Sequence, residues 1–116
     1  MIKIKRVYES GAKSDGQRFL VDRLWPRGIK KESLHVVAWL KGVAPSEKLR
    51  QWFGHDPAKW HEFHRRYCVE LDANPVALQP LLEAAAKGNL TLLYSAHDPE
   101  HNNAIVLKAY LEMHLK

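Results

Sequence analysis

The sequence predicts an α/β domain, a small three-layer sandwich in which a mostly parallel sheet is covered by helices. Three observations predict it. The run Leu90-Thr91-Leu92-Leu93-Tyr94 is short, almost wholly apolar and bounded by Gly88-Asn89 and a polar segment. Such a run suits a strand buried on both faces, as in parallel sheets covered by helices. Two strand-like runs open the chain, and cap-then-proline signals mark helices through its middle. Strands first, helices next, then a buried strand and a closing helix is an order that a layered α/β fold accommodates simply.

The elements follow in order. Ile2, Ile4 and Tyr8 share one parity and Lys3, Lys5 and Val7 the other, a period of two that predicts a strand over 2–8. Residues Glu9 to Gly16 are rich in turn formers and read as a loop. Phe19-Leu20-Val21 reads as the next strand, stopped by Pro26 and Gly28. His35 to Leu40 reads as a further short strand or a helical turn. Ser46 then caps a helix with Glu47 in its first turn and Gly54 at its end. Asp56-Pro57 opens another helix, along which Trp60, Phe63, Tyr67 and Leu71 recur at helical spacing. Asn74-Pro75 repeats the signal, and Leu78, Leu81, Leu82 and Ala85 supply the stripe up to Lys87-Gly88. Pro80 conflicts with that helix, since an interior proline costs about 3 kcal/mol. The sequence therefore predicts a fresh start near Gln79 or a separate turn over 75–79. The last helix is expected from about Asn103 to His114, with Ile105, Leu107, Tyr110 and Leu111 inward and Lys108, Glu112 and Lys116 outward.

Length and composition bound the function. The 116 residues, 46% hydrophobic and 27% charged, fit one globular domain over 1–116. One cysteine, Cys68, leaves no internal disulfide, and on a mid-helix position it reads as a small core residue. No apolar run approaches the roughly 20 residues of a membrane span, and the N-terminus carries no leader pattern, so a cytoplasmic protein without a membrane partner is expected. The net charge of +5 suits phosphates, nucleic acid or another acidic partner, and equally a solvated basic surface. No basic stripe with interleaved aromatics appears, which makes nucleic acid the lesser of these.

Chemistry is expected beyond the carboxyl ends of the strands, where open α/β sheets gather ligands. Two segments there are dense in reactive types. In Asp22-Arg23-Leu24-Trp25-Pro26-Arg27-Gly28, Arg23 and Arg27 offer guanidinium forks to a phosphate or carboxylate, with Trp25 as a stacking face. An internal ion pair of Asp22 with an arginine is the plainer alternative. Ser95-Ala96-His97-Asp98-Pro99-Glu100-His101-Asn102-Asn103 lies between a buried strand and a helix N-terminus, which favours an anion. Ser95 is a candidate nucleophile, although no Gly-x-Ser-x-Gly elbow frames it. His97, Asp98 and His101 match no established zinc spacing, and Asp98 or Asn102 also serves as a helix cap. Trp52-Phe53-Gly54-His55-Asp56-Pro57 reads as the end of one helix and the cap of the next, with His55 facing a pocket as the functional alternative. His61 and His64 are out of register for a His-Glu-x-x-His zinc helix. No phosphate-cradling glycine loop and no dinucleotide fingerprint occurs, so no cofactor is expected.

Together, Val21-Asp22-Arg23-Leu24-Trp25-Pro26-Arg27-Gly28, Trp52-Phe53-Gly54-His55-Asp56-Pro57 and Leu92-Leu93-Tyr94-Ser95-Ala96 with His101-Asn102 resemble the YeaO-like family of bacterial proteins, part of a larger domain-of-unknown-function group. The resemblance covers nearly the whole chain. It implies a small α/β bacterial protein, carries over no activity, and marks the segments chosen on chemical grounds as the family's signature.

The site is therefore expected from Asp22, Arg23, Trp25, Arg27, His55, Asp56 and Asn102 as ligand-binding residues, with Ser95, His97, Asp98 and His101 as catalytic candidates. The leading reading is an enzyme or sensor for a small anionic ligand, phosphorylated or carboxylated. Arg23 and Arg27 would hold the anion, and His97 or His101 would move a proton near neutral pH. The alternatives are a non-catalytic nucleic-acid module and a signature that serves a protein interface.

Overall fold

The computed structural model describes residues 1–115; Lys116, expected on the wet side of the last helix, lies outside the described residues. Four strands, β1 (Ile2–Arg6), β2 (Gln17–Leu20), β3 (Ala38–Trp39) and β4 (Leu90–Tyr94), form one all-parallel sheet in the order β1-β4-β2-β3. The last strand in sequence is inserted between the first two. Its Leu92 sits opposite both Ile4 and Phe19, and every residue of β4 is buried. That insertion is the physical meaning of the unbroken apolar run.

The two outer expectations are met with small shifts. The ladder continues one residue beyond β1, since the Val7 N–H donates to the Tyr94 carbonyl at 2.8 Å, but Tyr8 leaves the sheet and is exposed. Val21 likewise donates to Leu93 at 3.1 Å after β2 ends. The ambiguous segment 35–40 supplies only the two-residue edge strand β3.

Four α-helices follow: α1 (Glu47–Phe53), α2 (Trp60–Asp72), α3 (Pro75–Lys87) and α4 (Asn103–His114). Ser46 caps α1 by accepting from the Leu49 N–H, and Gly54 ends it in the left-handed region at φ 52°. Asp56 accepts from the Ala58 N–H and opens a 3-10 turn (Pro57–Lys59) that leads into α2. α3 runs unbroken through Pro80, correcting the expected restart. The proline removes only the bond to the Val76 carbonyl, one turn from the helix start, and Val76 is 79% exposed, so water can take that carbonyl. Asn74 does not cap α3; its side-chain amide donates to the Gly42 carbonyl.

All four helices share one core with the sheet face formed by Ile2, Phe19, Val21, Leu90, Leu92 and Tyr94. The opposite face is covered differently. There Val7, Leu20 and Leu93 pack with Leu34, Trp25, Ile29 and Val36 of the loops and Trp39 of β3, with no α-helix between them and solvent among the described residues. The sandwich is layered as expected, but its third layer is made of loops and short 3-10 turns. The connections from β1 to β2 and from β2 to β3 hold only three-residue helical turns, and the second is interrupted by Pro26 and Gly28. Among the described residues no helix is long and apolar enough to cross a membrane.

Candidate functional site at the strand ends

Parallel strands deliver their carboxyl ends to one edge, and the signature segments start there. Asp22 follows β2 and Ser95 follows β4 on adjacent strands. One carboxylate oxygen of Asp22 accepts from both the Ser95 backbone N–H (2.9 Å) and the Ser95 hydroxyl (2.8 Å). Burial pushes the Asp22 carboxyl above its usual range, while the Ser95 bonds, the Asn103 amide and the nearby His55 pull it back down. The Ser95 hydroxyl thus donates to a carboxylate, and no histidine activates it.

Arg6, the last residue of β1, closes the same edge. Its guanidinium donates to the carbonyls of Ala96 (2.9 Å) and Ser95 (3.1 Å). Beyond them the loop folds on Asp98, which accepts from the backbone N–H groups of Glu100 (2.9 Å) and His101 (3.1 Å) and lies 2.8 Å from His101 Nδ1. The Glu100 N–H bond, with the His101 side chain next, holds the Asp98 carboxyl below its usual range. Asn102 is buried and caps α4, accepting from the Ile105 N–H and donating to the Asp98 carbonyl. Of the two caps that the sequence allowed, Asn102 is the one used on α4.

The α1–α2 turn supplies the facing wall. His55 has a left-handed backbone, φ 57°, directly after the left-handed Gly54, and is exposed. Asp56 spends its carboxylate on the Ala58 N–H. Trp60 bridges the two sides, with its ring 6.0 Å from Phe53 and meeting His101 edge-on at 5.2 Å.

The Arg23–Arg27 segment is divided. Arg23 is half-buried and donates from Nε to the Pro45 carbonyl, on the segment after β3. The backbone carbonyl of Arg27 accepts from the Tyr8 hydroxyl, on the segment after β1, and its side chain is exposed. β1 and β3 are opposite edges of the sheet, and no contact joins the two arginines among the described residues. Trp25 donates from its indole to the Ile29 carbonyl and packs edge-on against Trp39 on the loop-covered face. His97 is exposed on the strand-end loop.

Three residues of this edge were not singled out from the sequence: Arg6, Asn103 and Trp60. The strand-end rule that selected Asp22 and Ser95 applies to Arg6 as well. Asn103 donates to the Val21 carbonyl at 3.0 Å beside Asp22, and nothing in the sequence signals that contact. Cys68 is half-buried against the core, and burial raises its thiol above the usual range, which suits a packing residue. Among the described residues no group of three or more His, Cys, Asp or Glu side chains is placed to hold a metal ion.

Comparison with known proteins places this signature. A family model described as "Inactive DUF488-N3 subclade" matches residues 1–116. The chain is 44% identical over 110 residues to the uncharacterized protein YeaO of Escherichia coli (strain K12), covering 95% of this chain and 96% of that protein. It is 39% identical over 110 residues to the uncharacterized protein Rv3073c of Mycobacterium tuberculosis (strain H37Rv), covering 95% of this chain and 92% of the relative. The uncharacterized protein Mb3100c of Mycobacterium bovis matches to the same extent. No solved structure matches. By the family model over its whole length and by these relatives, the chain belongs to the YeaO-like family, the inactive DUF488-N3 subclade.

Proposed function

We propose that this protein is a non-catalytic binding module, a sensor for a small anionic ligand that carries a phosphate or carboxylate group, with its site at the strand-end edge. One observation carries the reading. Two acids of the edge are committed to internal hydrogen bonds, Asp22 to Ser95 and Asp98 to two backbone N–H groups and His101. Asp56 gives one oxygen to the Ala58 N–H, and Glu100 faces solvent. Exposed beside them are His55, His97 and Arg27, with the second ring nitrogen of His101 turned from Asp98. Three imidazoles and a guanidinium at an edge where Asp22 and Asp98 are already bonded suit an anion. The same commitment argues against a histidine-activated nucleophile, because the Ser95 hydroxyl and N–H are both held by one oxygen of Asp22 and no imidazole bonds to either among the described residues. The description of the family as an inactive subclade agrees with this.

The test is a calorimetric titration with inorganic phosphate and with citrate at constant ionic strength. Binding is expected to weaken in Arg27→Gln and His55→Ala. Binding that ignores both substitutions would refute the proposal.

A nucleic-acid surface is the second reading, favoured by Trp52, which lies under Arg66 (4.2 Å) and Lys59 (5.1 Å) beside a hollow of about 500 Å³. Against it, Arg65 and Arg66 both bond Glu62, whose carboxyl they hold down to about 2. Binding to single-stranded nucleic acid that falls steeply with salt would favour it over the sensor.

A further inference from the structure

The loop-covered face of the sheet holds a charge imbalance that the strand-end site does not use. Lys3 and Lys5 of β1 and Arg18 of β2 surround Asp15, which is fully buried. Lys5 Nζ is 2.9 Å and Lys3 Nζ 3.9 Å from one carboxylate oxygen, and the Ala12 N–H donates to the other at 3.1 Å. Both lysines have further acceptors, Lys3 the Ser14 hydroxyl and Lys5 the Ser10 carbonyl. Arg18 is the exception. Its Nε stands 3.6 Å from Asp15, beyond a hydrogen bond, and is buried without a partner among the described residues.

Three cations therefore share one carboxylate, and the side chains of Lys3, Lys5 and Arg18 are only 29%, 20% and 14% exposed. Arg18 is fitted tightly into the loop. A Cβ on Gly11 would come within 2.6 Å of its Nη1, so glycine makes the room for the guanidinium. Arg18 lines a hollow of about 570 Å³ together with Glu9, Ser10, Lys13, Ser33 and His35. Glu9 is the one acidic side chain in that lining, and it accepts from the Arg6 N–H at 2.7 Å.

We propose that this hollow is a second anion site, taking a single oxyanion, a phosphate or carboxylate group, on the Arg18 guanidinium. A planar guanidinium offers paired donors that match such a group in a bidentate fork. A fifth charge, negative, lowers the mutual repulsion of Lys3, Lys5 and Arg18, which Asp15 alone leaves in excess. Lys13, Ser33 and His35 bring further donors to the rim. The site lies on the sheet face away from the helices, on residues other than those of the strand-end edge, and stands or falls independently of it.

The experiment is a residue-resolved NMR titration of the whole chain with inorganic phosphate, and in a second arm with acetate, chloride being exchanged to hold ionic strength constant. Saturable shifts of the Ser10 to Lys13 and Ser33 to His35 amides are expected. Affinity should fall about tenfold in Arg18→Gln, since the fork is lost, and stay unchanged in Lys87→Gln, which removes the same charge from an exposed helix end. Should Arg18→Gln fail to fold, Arg18→Lys and Lys13→Gln carry the test, each expected to weaken binding. Response to phosphate alone would assign a phosphate site, and response to both anions a general oxyanion site. Absence of saturable shifts in these segments, or equal affinity in the Arg18 and Lys87 variants, would overturn the proposal.

Discussion

Asp15 leads into β2 and Asp22 leads out of it, yet the two carboxylates occupy opposite electrostatic surroundings. Asp15 is ringed by cations, and the Lys5 hydrogen bond, outweighing burial, draws its carboxyl below the usual range. Asp22 has no salt bridge; burial dominates and raises its carboxyl despite the two bonds from Ser95. The difference follows from what each end of a parallel sheet and each of its faces can offer. Lys3, Lys5 and Arg18 alternate onto the loop-covered face, where no apolar helix competes for the space. Asp22 stands at the strand-end edge beside the helical core, where hydroxyl and amide donors replace charges.

Breaking the first cluster should have the larger effect. Asp15→Ala removes the carboxylate that three partly buried cations share and is expected to cost about 3 kcal/mol in denaturant unfolding. Added salt should recover part of that loss by screening the repulsion. A cost well under 1 kcal/mol, independent of salt, would mean that the cations are solvated separately and that the cluster is not a unit.

Asp22→Ala should cost less, about 2 kcal/mol, because the Ser95 N–H and hydroxyl lose their acceptor without leaving a charge stranded. Asp22→Asn should cost under about 1 kcal/mol, since an amide oxygen still accepts from Ser95 and the burial of a charge is no longer opposed. If the asparagine variant is as unstable as the alanine one, charge and not hydrogen bonding is what Asp22 supplies.

The pH dependence sharpens the contrast. A lowered carboxyl contributes stability above the ordinary carboxylate range of about pH 4 and loses it as pH falls through its folded value. Asp15→Asn should therefore flatten the acid limb of the stability profile. A raised carboxyl acts the other way, because the folded state keeps its proton longer and stability falls as pH rises from about 4 through the raised value. Asp22→Asn should remove that decline. Identical profiles for both variants would erase the distinction between the two sites.

Much of this architecture is legible in the sequence, for local reasons. The apolar run of β4, the caps at Ser46 and Asp56 and the left-handed Gly54 are each decided by a few neighbouring residues. The strand-end rule likewise located Asp22 and Ser95, which meet across two strands. The division of Arg23 from Arg27 and the use of Trp25 as packing depend on contacts with Pro45, Tyr8 and Trp39, which no local pattern encodes. Asp15 was read as part of a polar loop. Its one available signal was parity, since Lys3 and Lys5 fall opposite Ile2 and Ile4 and thus needed a counter-charge on the second face. Pro80 misled because its penalty depends on whether the freed carbonyl can reach water, and here it can.

The proposed site is a strand-end edge where Asp22 and Asp98 are internally bonded while His55, His97 and Arg27 face outward. The most direct measurement follows the ring protons of His55, His97 and His101 by NMR while inorganic phosphate is added at constant ionic strength. The account predicts saturable shifts of the His55 and His101 rings, reduced in Arg27→Gln and independent of any change at Ser10 to Lys13. Rings that stay still while phosphate is raised, or that move equally with chloride, would contradict it.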